Sequence, residues 1–381
     1  MPERSRAGVG LPLTSAVLVA VQAVVCLGPC ACRLEKPDHR QGEETQAGLE
    51  PEGAAAPTGT GADEGDAAPA QGGPPQRTWL PSGPPEWRLV KLRPERQLDL
   101  VWGSPAHERL YALSPGGALL EGDGESWKRV ELGDALSSLR STSGGELRGL
   151  WGTGDEIYLA GDLRRGRGGA LHFDGASWSL AWVEGEGDLA GQGGGGVVAI
   201  AGTSATDPHV LFASGKLLRL TNKGWRFIIQ FPPPSLRLAR LWVGPGNRIA
   251  ALGEAVYALE GAAWRKLPAT AGAGLLRDIW GDGRGNVFAV GDGGRIVACR
   301  GGIWKPMISP VRARLWGVWG ASAADVYAVG ELGSVVHYDG HRWRVMLTDT
   351  STRLHDVWGL SPQDVVAVGH GAVLRYRGPG R

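Results

Sequence analysis

Leu315–Trp343 reads LWGVWGASAADVYAVGELGSVVHYDGHRW, four short runs separated by Gly- and Asp-rich breaks. Leu315–Trp319 is apolar and aromatic. Asp325–Val329 (DVYAV) and Val335–Tyr338 (VVHY) are rich in β-branched and aromatic residues, and Trp343 opens a fourth run, WRVML. Runs of four to six residues are too short for helices and right for strands. The breaks GASAAD, GELGS and DGHR carry the Gly and Asp that tight hairpins need. Four hairpin-linked strands form a meander sheet that cannot bury both faces alone, so copies of it must pack on one another.

Most of the chain after Trp87 is this unit again, and the tryptophans count the copies. An opening Trp-Gly falls at Trp102, Trp151, Trp280, Trp319 and Trp358; Trp242 fills the slot before Val243, and Ala201 stands in it in one copy. A second series, Trp87, Trp127, Trp178, Trp225, Trp264, Trp304 and Trp343, marks the fourth strand. Thirteen of the 16 tryptophans thus lie in two ladders stepping by 38 to 51 residues. Such regular placement makes them structural, each burying on the order of 150–250 Å² between sheets.

The ladders are out of phase. Within a copy the first Trp precedes the second by 22 to 27 residues, yet Trp358 has no partner before Arg381 and Trp87 has no opening Trp before it. The segment EWRLVKL around Trp87 is therefore expected to supply the missing fourth strand of the last sheet. That closes a ring and removes a free sheet edge. The expected fold is all-β, a seven-bladed β-propeller of four-stranded antiparallel blades over residues 85–381.

The pattern VWG…DVYAVG…G…V-H-YDG…W resembles the bacterial β-propeller repeats grouped as BNR-like, YVTN-like and WD-type. The resemblance covers roughly residues 85–381 and implies the fold; functions on such propellers range over lectins, assembly factors, hydrolases and scaffolds. The D-G-x-x-W turn is similar to the Asp box of sialidase-type propellers, S-x-D-x-G-x-T-W. Asp339 and Gly340 are adjacent here, one residue short of that spacing, which implies a shared turn role rather than an active site.

Residues 1–32 have the form of a secretory leader: Arg4 and Arg6, then an apolar run Leu11–Leu27 interrupted by Pro12, Thr14, Ser15 and Gln22. Export is expected. Cys26, Cys30 and Cys32 crowd its end. Cys32 follows Ala31 but has Pro29 where a lipoprotein signal carries Leu, whereas Cys30 has Leu27 in place but follows Pro29 directly. Cys32 is the favoured lipidation candidate, and simple cleavage with secretion is the alternative. Residues 33–84 are rich in Ala, Gly, Pro, Glu and Thr, a composition expected of a disordered tether holding the domain away from a membrane surface.

The leader carries +1 and residues 33–76 carry −6, so the net +1 of the chain leaves +6 for residues 77–381. That mild excess, without a basic helix or zinc-finger spacing, does not suggest nucleic acid. The basic cluster Arg164–Arg165–Gly166–Arg167 reads as a solvated turn, with an anion contact as the sharper alternative. GQGGGG, ending at Gly196, fits a nucleotide fingerprint only on paper, since the strand-like VVAIAG follows it where a helix is required.

Catalytic signatures such as G-x-S-x-G, H-E-x-x-H and the P-loop are missing, and no cofactor motif or metal-ligand spacing is found. His172 and His337 recur in one repeat slot and read as structural, and Cys299 reads as a buried thiol. One polar pattern recurs. An acidic residue opens the turn after the second strand at Asp162, Glu254, Asp292 and Glu331. Arg240, Asp278 and Asp356 lie two residues before the inner Trp, and Arg148, Arg277 and His355 lie three before it. Innermost strands line the channel, so these residues could form a polar rim gripping a ligand. The simpler reading is that Gly turns suit acids and that water-filled channels have polar walls. Among tryptophans outside the ladders, Trp182 and Trp316 are the sugar-stacking candidates, against plain packing.

Three functions fit. The first is a non-enzymatic exported propeller that binds a protein or polysaccharide at the cell envelope, touching the membrane only through a lipid anchor. The second is a sialidase-like glycan hydrolase, opposed by the repeat-strand positions of Tyr111, Tyr158, Tyr327 and Tyr338. The third is an assembly factor for an envelope complex.

Overall fold

The computed structural model describes residues 86–90, 97–104, 107–132, 146–163, 167–185, 196–230, 238–246, 248–261, 263–272 and 274–378. The leader with Cys32, the tether with Trp79, and Arg164–Gly166 lie outside these residues. The strands of the described residues form seven antiparallel sheets of four, six of them meanders of consecutive strands. The protein is a seven-bladed β-propeller. Its innermost strands, blade 1 to blade 7, are Leu100–Ser104, Glu146–Thr153, Val197–Gly202, Arg240–Gly244, Leu276–Gly281, Leu315–Ser322 and Leu354–Ser361.

Blades 1 to 6 use consecutive strands. Blade 7 takes three strands from the C-terminal end and its outermost, Trp87–Val90, from the N-terminal side. That strand pairs with Val373–Arg377 in the register Trp87↔Tyr376 to Val90↔Val373, as the ladder phase requires. Trp87 is fully buried, and its Nε1 donates to Met346 Sδ of blade 6 at 3.4 Å. The closing strand is therefore fastened to two blades.

The Trp-Gly pair has a packing cause. The indole of one inner strand lies on the glycine of the next blade, so a Cβ on that glycine would collide. Added to Gly152 it would sit 2.7 Å from Trp102, on Gly202 2.8 Å from Trp151, on Gly320 2.8 Å from Trp280, and on Gly359 2.1 Å from Trp319. Trp358 closes the circle against Trp102, ring centroids 6.2 Å apart. Ala201 pairs with His209 in the register that Trp102 shares with Tyr111, which confirms its slot. With no indole from blade 3, Gly244 is covered by its own blade's Trp242.

The D-G-x-x-W turns work as local caps. In three blades the Asp accepts hydrogen bonds from the two amides that follow the Gly: Asp123 from Glu125 and Ser126, Asp174 from Ala176 and Ser177, Asp339 from His341 and Arg342. The intervening Gly124, Gly175 and Gly340 hold φ of +92°, +92° and +89°, which L side chains disfavour. These backbone bonds hold all three carboxyls below the usual range.

His172 and His337 are structural in this setting. Each stacks on the Tyr opposite, at 4.3 Å on Tyr158 and 4.4 Å on Tyr327, and each reaches a carboxylate, Glu156 at 2.7 Å and Asp325 at 2.6 Å. Blades 3 and 7 place Arg219–Asp207 and Arg375–Asp364 in the same positions. Blade 1 reverses the charges with Arg109–Glu121. Cys299 is buried and not in a disulfide.

Candidate functional site

The channel mouth lies on the face where the inner strands begin. Its wall is built by a backbone irregularity. In blades 2, 3, 5, 6 and 7 the pairing of the first two strands slips by one residue, leaving Arg148, Val198, Arg277, Trp316 and His355 as the extra residue of a bulge. A bulge bends the strand and re-aims the extra side chain. In four of these blades the residue before the slip pairs with a glycine, and a Cβ on Gly161, Gly291, Gly330 or Gly369 would lie 2.1–2.2 Å from a carbonyl oxygen. In these four blades the glycine leaves room for the carbonyl at the bulge, whereas blade 3 bulges opposite Phe212.

All five residues stand three positions before the inner Trp slot, as do Asp99 and Ala239 in the unbulged blades. Asp99, Arg148, Val198, Ala239, Trp316 and His355 line a cavity of about 440 Å³. Arg277 lies over the Trp316 ring, its guanidinium 4.6 Å from the ring centre, with Arg314 at 5.3 Å and Arg353 at 5.5 Å. Three guanidiniums around one indole are an attractive cation–π arrangement.

The same arginines are held by acids in a ladder across blades 5 to 7. Asp292 Oδ1 accepts from Arg277 Nε at 2.9 Å and Arg314 Nε at 2.6 Å, and its Oδ2 accepts from the Leu275 amide at 3.0 Å. Glu331 accepts from Arg314 Nη1 at 3.1 Å and lies 3.7 Å from Arg353. Burial would raise the Asp292 carboxyl, but these hydrogen bonds and arginine charges outweigh it and hold the group low. On the opposite wall Arg148 meets Glu146 at 2.5 Å. His355 Nδ1 contacts Asp99 at 2.8 Å and the Leu98 carbonyl at 3.1 Å. Burial opposes ionisation of Asp99, and bonds from His355 and Gln97 reverse that and hold it low.

One residue further along, the inner strands of blades 4, 5 and 7 carry Arg240, Asp278 and Asp356. Arg240 Nε donates to Asp278 Oδ1 at 3.2 Å. Asp278 Oδ2 accepts the Val318 amide of blade 6 at 2.8 Å, and Asp356 Oδ2 accepts the Val101 amide of blade 1 at 2.9 Å. These carboxylates join blades. Burial raises both; Asp356, with the charge of Asp278 added, is pushed up to about 7.

Of the candidates read from sequence, Arg277, Asp292, Trp316, Glu331 and His355 meet at the mouth, with Asp278 and Asp356 below them. Trp182 does not join them. A bulge at Ala181 in the outer strand Trp178–Val183 turns it into the core, 7% exposed, against Phe212 and Trp225. The idea of Trp182 as a loop or channel aromatic is corrected accordingly. Glu254 turns away to Lys266 and Tyr257, and Asp162 accepts the Val197 amide. Sequence reasoning passed over Arg314, Arg353 and Asp99. The signal was present: Asp99 occupies the bulge slot of blade 1, and both arginines directly precede the Leu that opens an inner strand. Among the described residues, no three His, Cys, Asp or Glu side chains converge as a metal site.

No family model matches this chain, and no curated protein matches it. Solved structures do resemble it. YCF48 bound to D1 peptide is 18% identical with a TM-score of 0.60, over 77% of this chain and 97% of that one. A catalytically inactive virginiamycin B lyase from Staphylococcus aureus with quinupristin is 13% identical with a TM-score of 0.58, over 76% and 97%. The WD40 propeller domain of Doa1 is 11% identical with a TM-score of 0.59, over 78% and 98%. At these identities the likeness shows the fold, and the chain takes its place among β-propellers.

Proposed function

We propose that this protein is a non-enzymatic binding propeller that takes a protein segment into the channel mouth. The observation that carries the reading is the Trp316 indole framed by Arg277, Arg314 and Arg353 at the edge of an open cavity of about 440 Å³. An aromatic with fixed guanidiniums supplies apolar area together with many donors, the combination enriched at protein-binding hot spots. Acids already satisfy most of the arginines, which suits a rigid recognition surface more than a reacting centre. That YCF48, of similar fold, is solved with a D1 peptide supports a peptide occupant.

The test is selection of a displayed library of random dodecapeptides on the full chain. Enriched peptides should bind Trp316→Ala and Arg353→Ala at least tenfold more weakly than wild type. Equal affinity for the variants, or no enrichment, would sink the reading. The lyase among the similar structures motivates one check on enzymatic activity. The His355–Asp99 pair has the form of an acid–base couple, so turnover of fluorogenic glycosides or quinupristin that is lost in His355→Ala would replace the binding reading.

The site of action in this proposal is the cell envelope, reached through the leader. It rests on the basic, apolar and cysteine-bearing pattern of residues 1–32 and on the tether that follows. Growth with a fatty-acid analogue should label the chain through Cys32, and label surviving in Cys32→Ser would reject that cysteine.

A further inference from the structure

In blades 2 and 6 a pair of rings fills the seam to the next blade, and in blade 4 the same two positions hold the smallest side chains of the seven. The second-strand residue opposite the inner Trp slot is Tyr111, Tyr158, His209, Ala250, Phe288, Tyr327 or Val366 in blades 1 to 7. It packs towards the following blade, as Tyr158 does in the cluster with Val197 and Val210, and Tyr327 in the cluster with Leu354 and Val365. The third strand adds a ring that packs on it in blades 2 and 6, His172 stacked on Tyr158 and His337 tilted on Tyr327. In blade 4 both positions are alanine, Ala250 paired with Ala258.

Two methyl groups therefore stand where blades 2 and 6 place two packed rings. The result is a cavity of about 150 Å³ between blades 4 and 5, walled by Trp242, Ala250, Ala258, Val287, Cys299 and Trp304. Its rim residues Arg248, Glu260, Gly285 and Gly302 come from strand ends and turns on the face opposite the mouth. Apolar walls around a space of about this size have room for a molecule such as benzene.

From this opening we propose a second, independent binding site: the seam between blades 4 and 5 takes a small neutral monocyclic aromatic molecule where blades 2 and 6 place the Tyr158 and Tyr327 rings. Shape selects the ring, because the neighbouring blades close around a six-membered ring at the equivalent point of seams 2–3 and 6–7. Chemistry selects a neutral one, since the walls offer indoles, methyl groups and a thiol but no buried counter-charge. No mouth residue takes part, so this proposal and the peptide-binding reading stand or fall separately.

The test uses 4-fluorophenol with the full chain, followed by ¹⁹F NMR and by quenching of tryptophan fluorescence. Wild type should bind it saturably. Ala250→Phe supplies the missing ring and should weaken binding at least tenfold while the melting temperature is kept or raised. Ala258→Leu fills the slot from the other strand and should do the same, so it decides the matter if Ala250→Phe does not fold. Absence of saturable binding to wild type overturns the proposal, as does undiminished affinity in the folded variant.

Discussion

The Asp356 carboxylate of the last blade accepts a hydrogen bond from the backbone amide of Val101, in the first blade, at 2.9 Å. Asp278 makes the corresponding bond to Val318, one blade further on, at 2.8 Å. The two acids thus hold inner strands of neighbouring blades together, with Arg240 beside Asp278. Arg240 neutralises only part of their charge.

Burial and the neighbouring Asp278 raise the Asp356 carboxyl to about 7 in the folded protein, against roughly 3.9 in an unfolded chain. A raised acid contributes stability that is complete below the unfolded value and lost as pH rises through the folded one. Asp356→Asn cannot titrate. The melting temperature of the variant relative to wild type should therefore rise between pH 5 and pH 8, whatever its baseline. Parallel melting curves for the two proteins across that range would contradict the assignment.

Gly359→Ala should destabilise the fold by roughly 1–3 kcal/mol, the usual cost of overpacking. The added methyl would sit 2.1 Å from the Trp319 ring, whereas Gly224, at φ +86°, has open space around the same position. Urea titration of both alanine variants separates packing from backbone strain: Gly359→Ala should lose more.

Trp87→Ala should cost roughly 3–5 kcal/mol, as expected when a large buried aromatic is removed. The closing strand makes contact with both blade 6 and blade 7 through this side chain. Hydrogen exchange should show blade 7 opening first, with Val373–Arg377 losing protection ahead of the inner strands. Uniform loss across the blades would argue against closure by this strand.

Gly330→Ala should disturb the mouth from a distance. Its methyl would meet the Arg314 carbonyl at 2.1 Å and oppose the bulge that presents Trp316. Peptides selected on wild type should bind this variant at least tenfold more weakly, with a changed near-ultraviolet circular dichroism signal from the displaced indole. Full binding would show that the bulge does not position Trp316.

Much of this molecule was legible in the order of its residues. Period-two runs broken by Gly and Asp specify strands and hairpins locally, and the Trp-Gly spacing repeats because each indole must lie on the next blade's glycine. The phase offset between Trp87 and Trp358 was enough to place the closing strand. Chemistry at the mouth was legible only in part. Arg277, Trp316 and His355 share a slot that can be counted from the inner Trp, but a count does not reveal that the slot is a bulge.

What only the tertiary structure decided concerns partners far apart in the chain. Asp356 and Val101 are 255 residues apart, and Asp278 and Val318 are 40 apart, so no local pattern shows that these acids bind backbone rather than face the open channel. Trp182 went to the core because a one-residue slip reversed the face of its strand. The opening between blades 4 and 5 exists because two alanines paired on neighbouring strands of blade 4 leave the seam to blade 5 unfilled. Local propensity sets each strand; which side chains meet is set by how seven twisted sheets close into a ring.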